Sequence, residues 1–123
     1  MNQPAIQPDD QVLVTQAAFN AAQALGLRRA QLSRIVGLSE PTLTRMKRGQ
    51  STIPQGKAFE LALLLIRIYR ALYAIVGGDE PSLKHWIKTP NRHLQESAPA
   101  ELMESVEGMV AVARYLDAMR GRL

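Results

Sequence analysis

The chain contains no cysteine, only two histidines, and aromatic residues at just 5%. Without cysteine there are no disulfides and no thiolate metal sites. His85 and His93 are separated by Pro90 and belong to no His-Glu-x-x-His motif. They make a poor metal pair, and structural or solvent-exposed histidines are the expectation. No Asn-Gly or Asp-Gly dipeptide occurs, and no stretch alternates apolar with polar residues. The usual marks of hairpins and half-buried strands are therefore missing. There is no glycine-rich phosphate loop either. Glu96, Glu101, Glu104 and Glu107 form an acidic run. A paired-carboxylate centre needs an enclosed cleft, and this run reads as a solvated face. No constellation for catalysis remains, so the expectation is a non-enzyme with no metal and no cofactor. The opening MNQPAIQPDD lacks a basic region followed by an apolar core. That speaks against a secretory signal and makes the cytoplasm the expected location.

What the chain does have is helical periodicity throughout, which predicts an all-α fold. Its 123 residues, 46% of them apolar, suffice for one domain or for two small lobes sharing a core. The longest apolar run is KAFELALLLIRIYRALYAIV, residues 57–76. Arg67 and Arg70 sit near its middle, and each costs about 3 kcal/mol at a bilayer centre, which argues against a membrane span. Glu60, Arg67 and Arg70 fall within roughly 80° on a helical wheel, leaving apolar surface elsewhere. The run therefore reads as a hub helix, with protein packed on both flanks and a second copy of the chain as a candidate neighbour. Residues 1–8 read as a mobile tail. The double glycine Gly77-Gly78 reads as the boundary between a lobe over 9–77 and a smaller helical lobe over 79–123.

Net charge is +4, and its placement is uneven. Residues 28–57 hold Arg28, Arg29, Arg34, Arg45, Lys47, Arg48 and Lys57 against the single acid Glu40. Residues 79–123 are nearly balanced. A basic block beside a balanced lobe points to an anionic polymer as partner of the block alone, with a solvated face as the plain alternative.

In chain order, Asp9 or Asp10 is expected to cap a first helix. It runs to about Leu25, with Val12, Gln16, Phe19 and Leu25 along one face and Gly26 as its stop. The next stretch, RRAQLSRIVGLSEPTLTRMKRG at 28–49, reads as helix, tight turn, helix. Gln31 to Val36 form the first helix, and Ser33 is small where the second must cross. Gly37 supplies a positive φ, and Leu38 packs into the turn. Ser39 is an N-cap, and Pro41 lies in the first turn, where its missing N–H does no harm. Leu43 and Met46 face inward, and Gly49 stops the helix. This spacing resembles the Xre and phage-repressor helix-turn-helix family, on Ser33, Gly37, Leu38-Ser39, Thr42-Leu43, Arg45 and Arg48-Gly49. The resemblance implies a second helix in the major groove of operator DNA. Glu40, Thr42, Thr44 and Arg45 are then base-edge candidates. Ser39, Lys47, Arg48 and Ser51 would position the protein on phosphates, with Arg28 and Arg29 flanking. A helical hairpin kept only for packing or dimerisation is the alternative.

Beyond the double glycine, Asp79 is expected to cap a helix carrying Leu83, Trp86 and Ile87. An irregular connection over 89–98 is anchored by Leu94. Pro99 starts a helix with Leu102, Met103 and Val106, Gly108 interrupts it, and Met109, Val112, Leu116 and Met119 form the seam of a last helix. Trp86, Pro90-Asn91, Leu94, Pro99, Leu102-Met103, Gly108, Val112, Leu116 and Gly121 resemble the C-terminal toxin-binding domain of Xre/MbcA/ParS-type antitoxins. Where that family usually has a glycine after the leucine, this chain has Gln95-Glu96. The resemblance implies a RES-domain, NAD-consuming toxin as partner and repression of the shared operon, and a homodimer is expected because a helix-turn-helix reads two half-sites. For toxin contact the last helix and tail are the candidates, with Tyr115, Met119, Arg120, Arg122 and Leu123. Two alternatives stay open. One is a toxin-binding protein without DNA reading, suggested by the acid Glu40 at the start of the reading helix. The other is a plain repressor whose C-terminal lobe only oligomerises.

Overall fold

A computed structural model of the chain describes residues 7–122. The tail expected over 1–8 therefore lies mostly outside the described residues, as does Leu123. The described residues form seven α-helices: α1 Pro8–Leu25, α2 Arg29–Val36, α3 Glu40–Lys47, α4 Lys57–Ile75, α5 Glu80–Lys88, α6 Pro99–Leu102 and α7 Val106–Arg120. A 3₁₀ turn, Arg92–Leu94, precedes α6. Among the described residues there is no strand, only an isolated antiparallel bridge between Asn91 and Ser97. The all-α expectation holds.

The first helix starts earlier than the acids suggested. Pro8 occupies its first turn and Gln7 is the N-cap. Asp10 serves the cap from inside the helix, its carboxylate accepting the Gln7 N–H at 3.1 Å. The buried face also differs from the expected one. Thr15, Ala18, Phe19, Ala21, Ala22 and Leu25 are buried, whereas Val12 is 42% exposed and Gln16 faces solvent. The small alanines let α1 lie along α4, which sits between α1 and α7 and packs on both. Phe59, Leu61, Ala62, Leu65, Ile68, Ala71 and Leu72 of α4 are all buried. The protein flanks expected of a hub helix are thus α1 and α7. One continuous apolar cluster runs from Ala18 through α4 to Leu116. The two halves are further joined on the surface, where Arg34 of α2 pairs with Glu104 and Arg67 of α4 with Asp117 of α7. Such exposed pairs are worth at most about 1 kcal/mol, so the shared core carries the junction.

Gly108 does not interrupt a helix. The short α6 ends at Leu102, and α7 begins at Val106 behind the N-cap Ser105, whose hydroxyl accepts the Gly108 N–H at 3.0 Å. Gly108 lies in the first turn of α7, pressed on the end of α6. A β-carbon there would stand 1.8 Å from the Leu102 carbonyl oxygen. Val106, expected on the helix that Pro99 starts, instead opens α7 and is 47% exposed.

Candidate nucleic-acid interface

The turn between α2 and α3 is built from local chemistry. Gly37 takes φ +73° at the end of α2, a conformation open to glycine at little cost. The Ser33 hydroxyl donates to the Leu38 carbonyl across the turn, so Ser33 is more than a small residue at a crossing. Ser39 caps α3 by accepting the Thr42 N–H at 3.2 Å. Pro41 lies in the first turn, where no intrahelical N–H bond is lost. Leu43 and Met46 are 1% and 5% exposed and pin α3 to the core. The opposite side of α3 therefore points outward.

Glu40, Arg45, Lys47 and Arg48 are exposed, with Thr42 and Thr44 half-buried. The threonines do something the sequence did not disclose. Thr42 Oγ1 contacts Ser39 Oγ at 2.7 Å and accepts from Arg45 Nη2 at 3.1 Å. Arg45, the forked donor best suited to guanine, is thereby held by its own helix. Thr44 Oγ1 donates to the Glu40 carbonyl at 3.0 Å and accepts from Arg29 Nη1 at 3.2 Å. Its hydroxyl is thus engaged within the protein, and it ties α2 to α3. Arg28 is exposed as the N-cap of α2. Arg29 is thereby placed beside α3, whereas Arg28 borders a separate groove with Gln31, Lys88 and Glu101.

Ser51 lies exposed in the loop after α3, and α1 grips that loop. Thr15 Oγ1 accepts the buried Ile53 N–H at 2.9 Å while donating to the Gln11 carbonyl. Gln11 Nε2 donates to the Ile53 carbonyl at 3.1 Å. These contacts join residues far apart in sequence, and no local motif announces them.

Of the toxin-contact candidates, Tyr115 and Arg120 have different surroundings, and Leu123 lies outside the described residues. The Tyr115 ring stacks against Trp86, with centroids 6.3 Å apart, and against His93, at 5.9 Å. It is half-buried in an aromatic stack between α5, the 3₁₀ turn and α7. Met119 is half-buried, whereas Arg120 and Arg122 are exposed. Arg120 shares a groove with Leu63, Ile66, Arg67 and Arg70 of α4, away from the stack. The connection bearing His93 keeps a left-handed backbone without glycine, Gln95 and Glu96 both having φ +59°. Among the described residues no group of three or more His, Asp or Glu is placed to hold a metal ion, and no helix is long and apolar enough to cross a membrane.

The result is a helix-turn-helix with a capped, basic second helix, built into an all-helical body. The model of the antitoxin Xre-like helix-turn-helix domain matches residues 4–67. The chain belongs to that family. The Xre/MbcA/ParS antitoxin C-terminal toxin-binding domain matches residues 71–122. In this Xre-like antitoxin the two matches meet inside α4. Both families are generally non-enzymatic. No curated protein matches the chain.

Proposed function

We propose that the chain is an antitoxin with two binding activities. Its C-terminal half binds and neutralises a cognate RES-domain, NAD-consuming toxin. Its α2–α3 pair, in a cytoplasmic homodimer, reads operator DNA and represses the operon that encodes both proteins. The observation that carries the DNA half is the outward ridge of α3, where Arg45 is held by Thr42 and flanked by Lys47 and Arg48. A second helix anchored by Leu43 and Met46 can enter a major groove with that ridge forward. The toxin half rests on the toxin-binding domain match over 71–122, and the RES identity rests on the likeness of the C-terminal residues to that antitoxin class.

Two measurements test the proposal. Binding to a duplex from the region upstream of the reading frame should fall steeply with salt, as counterion release requires. Flat, weak retention at moderate salt would leave a protein-binding module without DNA reading. Co-expression with the neighbouring reading frame and purification of this chain should bring down a small NAD-hydrolysing enzyme in fixed stoichiometry. Recovery of this chain alone would reduce the protein to a repressor.

A further inference from the structure

The first helix of a helix-turn-helix domain is ordinarily read as scaffold. Here it places an aromatic ring beneath two cations. Phe19 of α1 is 9% exposed. The Arg29 guanidinium carbon lies 5.5 Å from its ring centroid and the Lys47 ammonium 5.4 Å. Arg29 opens α2 and Lys47 closes α3, so one ring from α1 gathers the far ends of both helices. The three side chains border a cavity of about 310 Å³ between α1, α2 and α3. Arg29 is fixed a second time by its bond to Thr44.

The kind of restraint matters. A carboxylate would hold these cations firmly but would neutralise them. An aromatic face attracts a cation through its quadrupole and leaves the full positive charge available. Among the described residues neither Arg29 nor Lys47 forms an ion pair, unlike Arg34 and Arg67. Two cations oriented over one ring on the flank of α3, with their charge unspent, suit a tetrahedral oxyanion. On this ridge the oxyanion available is a phosphodiester at the edge of the groove that α3 enters. We propose that Phe19 is a positioning residue that holds Arg29 and Lys47 as a two-armed clamp on one backbone phosphate of duplex DNA. The inference rests on the DNA-reading half of the proposed function.

The test uses the full chain and two duplexes, one from upstream of its own reading frame and one of random sequence. Phe19→Leu keeps an apolar side chain but removes the ring face, and Phe19→Tyr keeps the face. Phe19→Leu should weaken both duplexes about fivefold and lower the slope of log affinity against log salt by about one. Phe19→Tyr should stay near the parent. In an Arg29→Gln, Lys47→Gln background, Phe19→Leu should cost nothing more, because the ring then has no cations to hold. The inference is overturned if Phe19→Leu keeps the parent affinity and slope, or if its loss persists undiminished in that background. It is also overturned if inorganic phosphate alone protects the parent but not Phe19→Leu from thermal unfolding while duplex binding is equal, since the cleft would then take free anions. Absence of any salt-dependent duplex binding by the parent would remove the DNA reading and the clamp together.

Discussion

Replacing Gly108 by alanine sets two effects of opposite sign against each other. Alanine favours a helix over glycine by about 1 kcal/mol, and Gly108 lies within α7. Propensity alone therefore predicts a more stable protein. The packing predicts the reverse. The new β-carbon would lie 1.8 Å from the Leu102 carbonyl oxygen and 2.6 Å from its carbon. Both are backbone atoms at the end of α6, so no side chain can rotate away. Relief requires α6 and α7 to part by more than an ångström at a junction where Met103 and Met109 are fully buried. Overpacking against a movable neighbour costs about 1–3 kcal/mol, and a backbone obstacle belongs at the upper end. Less the propensity gain, the net loss is about 2 kcal/mol. For a chain of this size that lowers the melting temperature by roughly 8 °C. Thermal unfolding followed by circular dichroism measures it. Hydrogen exchange should place the loss at the α6–α7 junction, with α2 and α3 unaffected. An unchanged or raised melting temperature would refute the argument, because only propensity would then be acting.

The other predictions concern single contacts. Arg45→Ala should weaken operator binding by about 1–3 kcal/mol and alter base preference, and a gel-shift series with unchanged affinity and footprint would remove Arg45 from the reading helix. Thr15→Val leaves the buried Ile53 N–H without its acceptor, which should cost about 1–3 kcal/mol, with faster exchange of the Ile53 amide as the direct readout. Glu96 has φ +59°, so Glu96→Gly should lose no stability while Glu96→Val loses about 1–2 kcal/mol; equal melting temperatures for the two would contradict the left-handed assignment. Deleting residues 121–123 should impair neutralisation of the toxin in cells, and full neutralisation by the shortened chain would exclude the tail from the contact.

The α2–α3 turn could be read from sequence because each of its residues acts locally. Gly37 supplies a positive φ, Ser39 caps, Pro41 fits a first turn, and Leu43 and Met46 share a face. The hub helix was readable for a similar reason, since nothing but burial on several sides suits so apolar a run. Spacing alone misplaces part of the buried face of the first helix. Its polar Thr15 is buried because it accepts a backbone N–H 38 residues away, whereas the apolar Val12 is 42% exposed. Gly108 resembled a break because glycine usually weakens helices, whereas here the missing side chain makes room for a neighbouring carbonyl. The contacts that fix the candidate site residues within the protein are hidden from the sequence. That Thr42 steadies Arg45 follows from a rotamer, and that Phe19 gathers Arg29 and Lys47 follows from tertiary placement, which no short motif encodes. The departure at Gln95-Glu96 was visible in the sequence, and its consequence is two non-glycine residues in the left-handed region.

The position of α4 bears on how such antitoxins can be recombined. Its Leu65, Ile68 and Leu72 lie in a cluster shared by both halves of the molecule. A chimaera that takes its front half from one homologue and its back half from another, joined at Gly77-Gly78, would press a foreign α7 against a helix shaped for a different mate. Exchange of toxin specificity between relatives therefore calls for co-transplanting the α7-facing residues of α4.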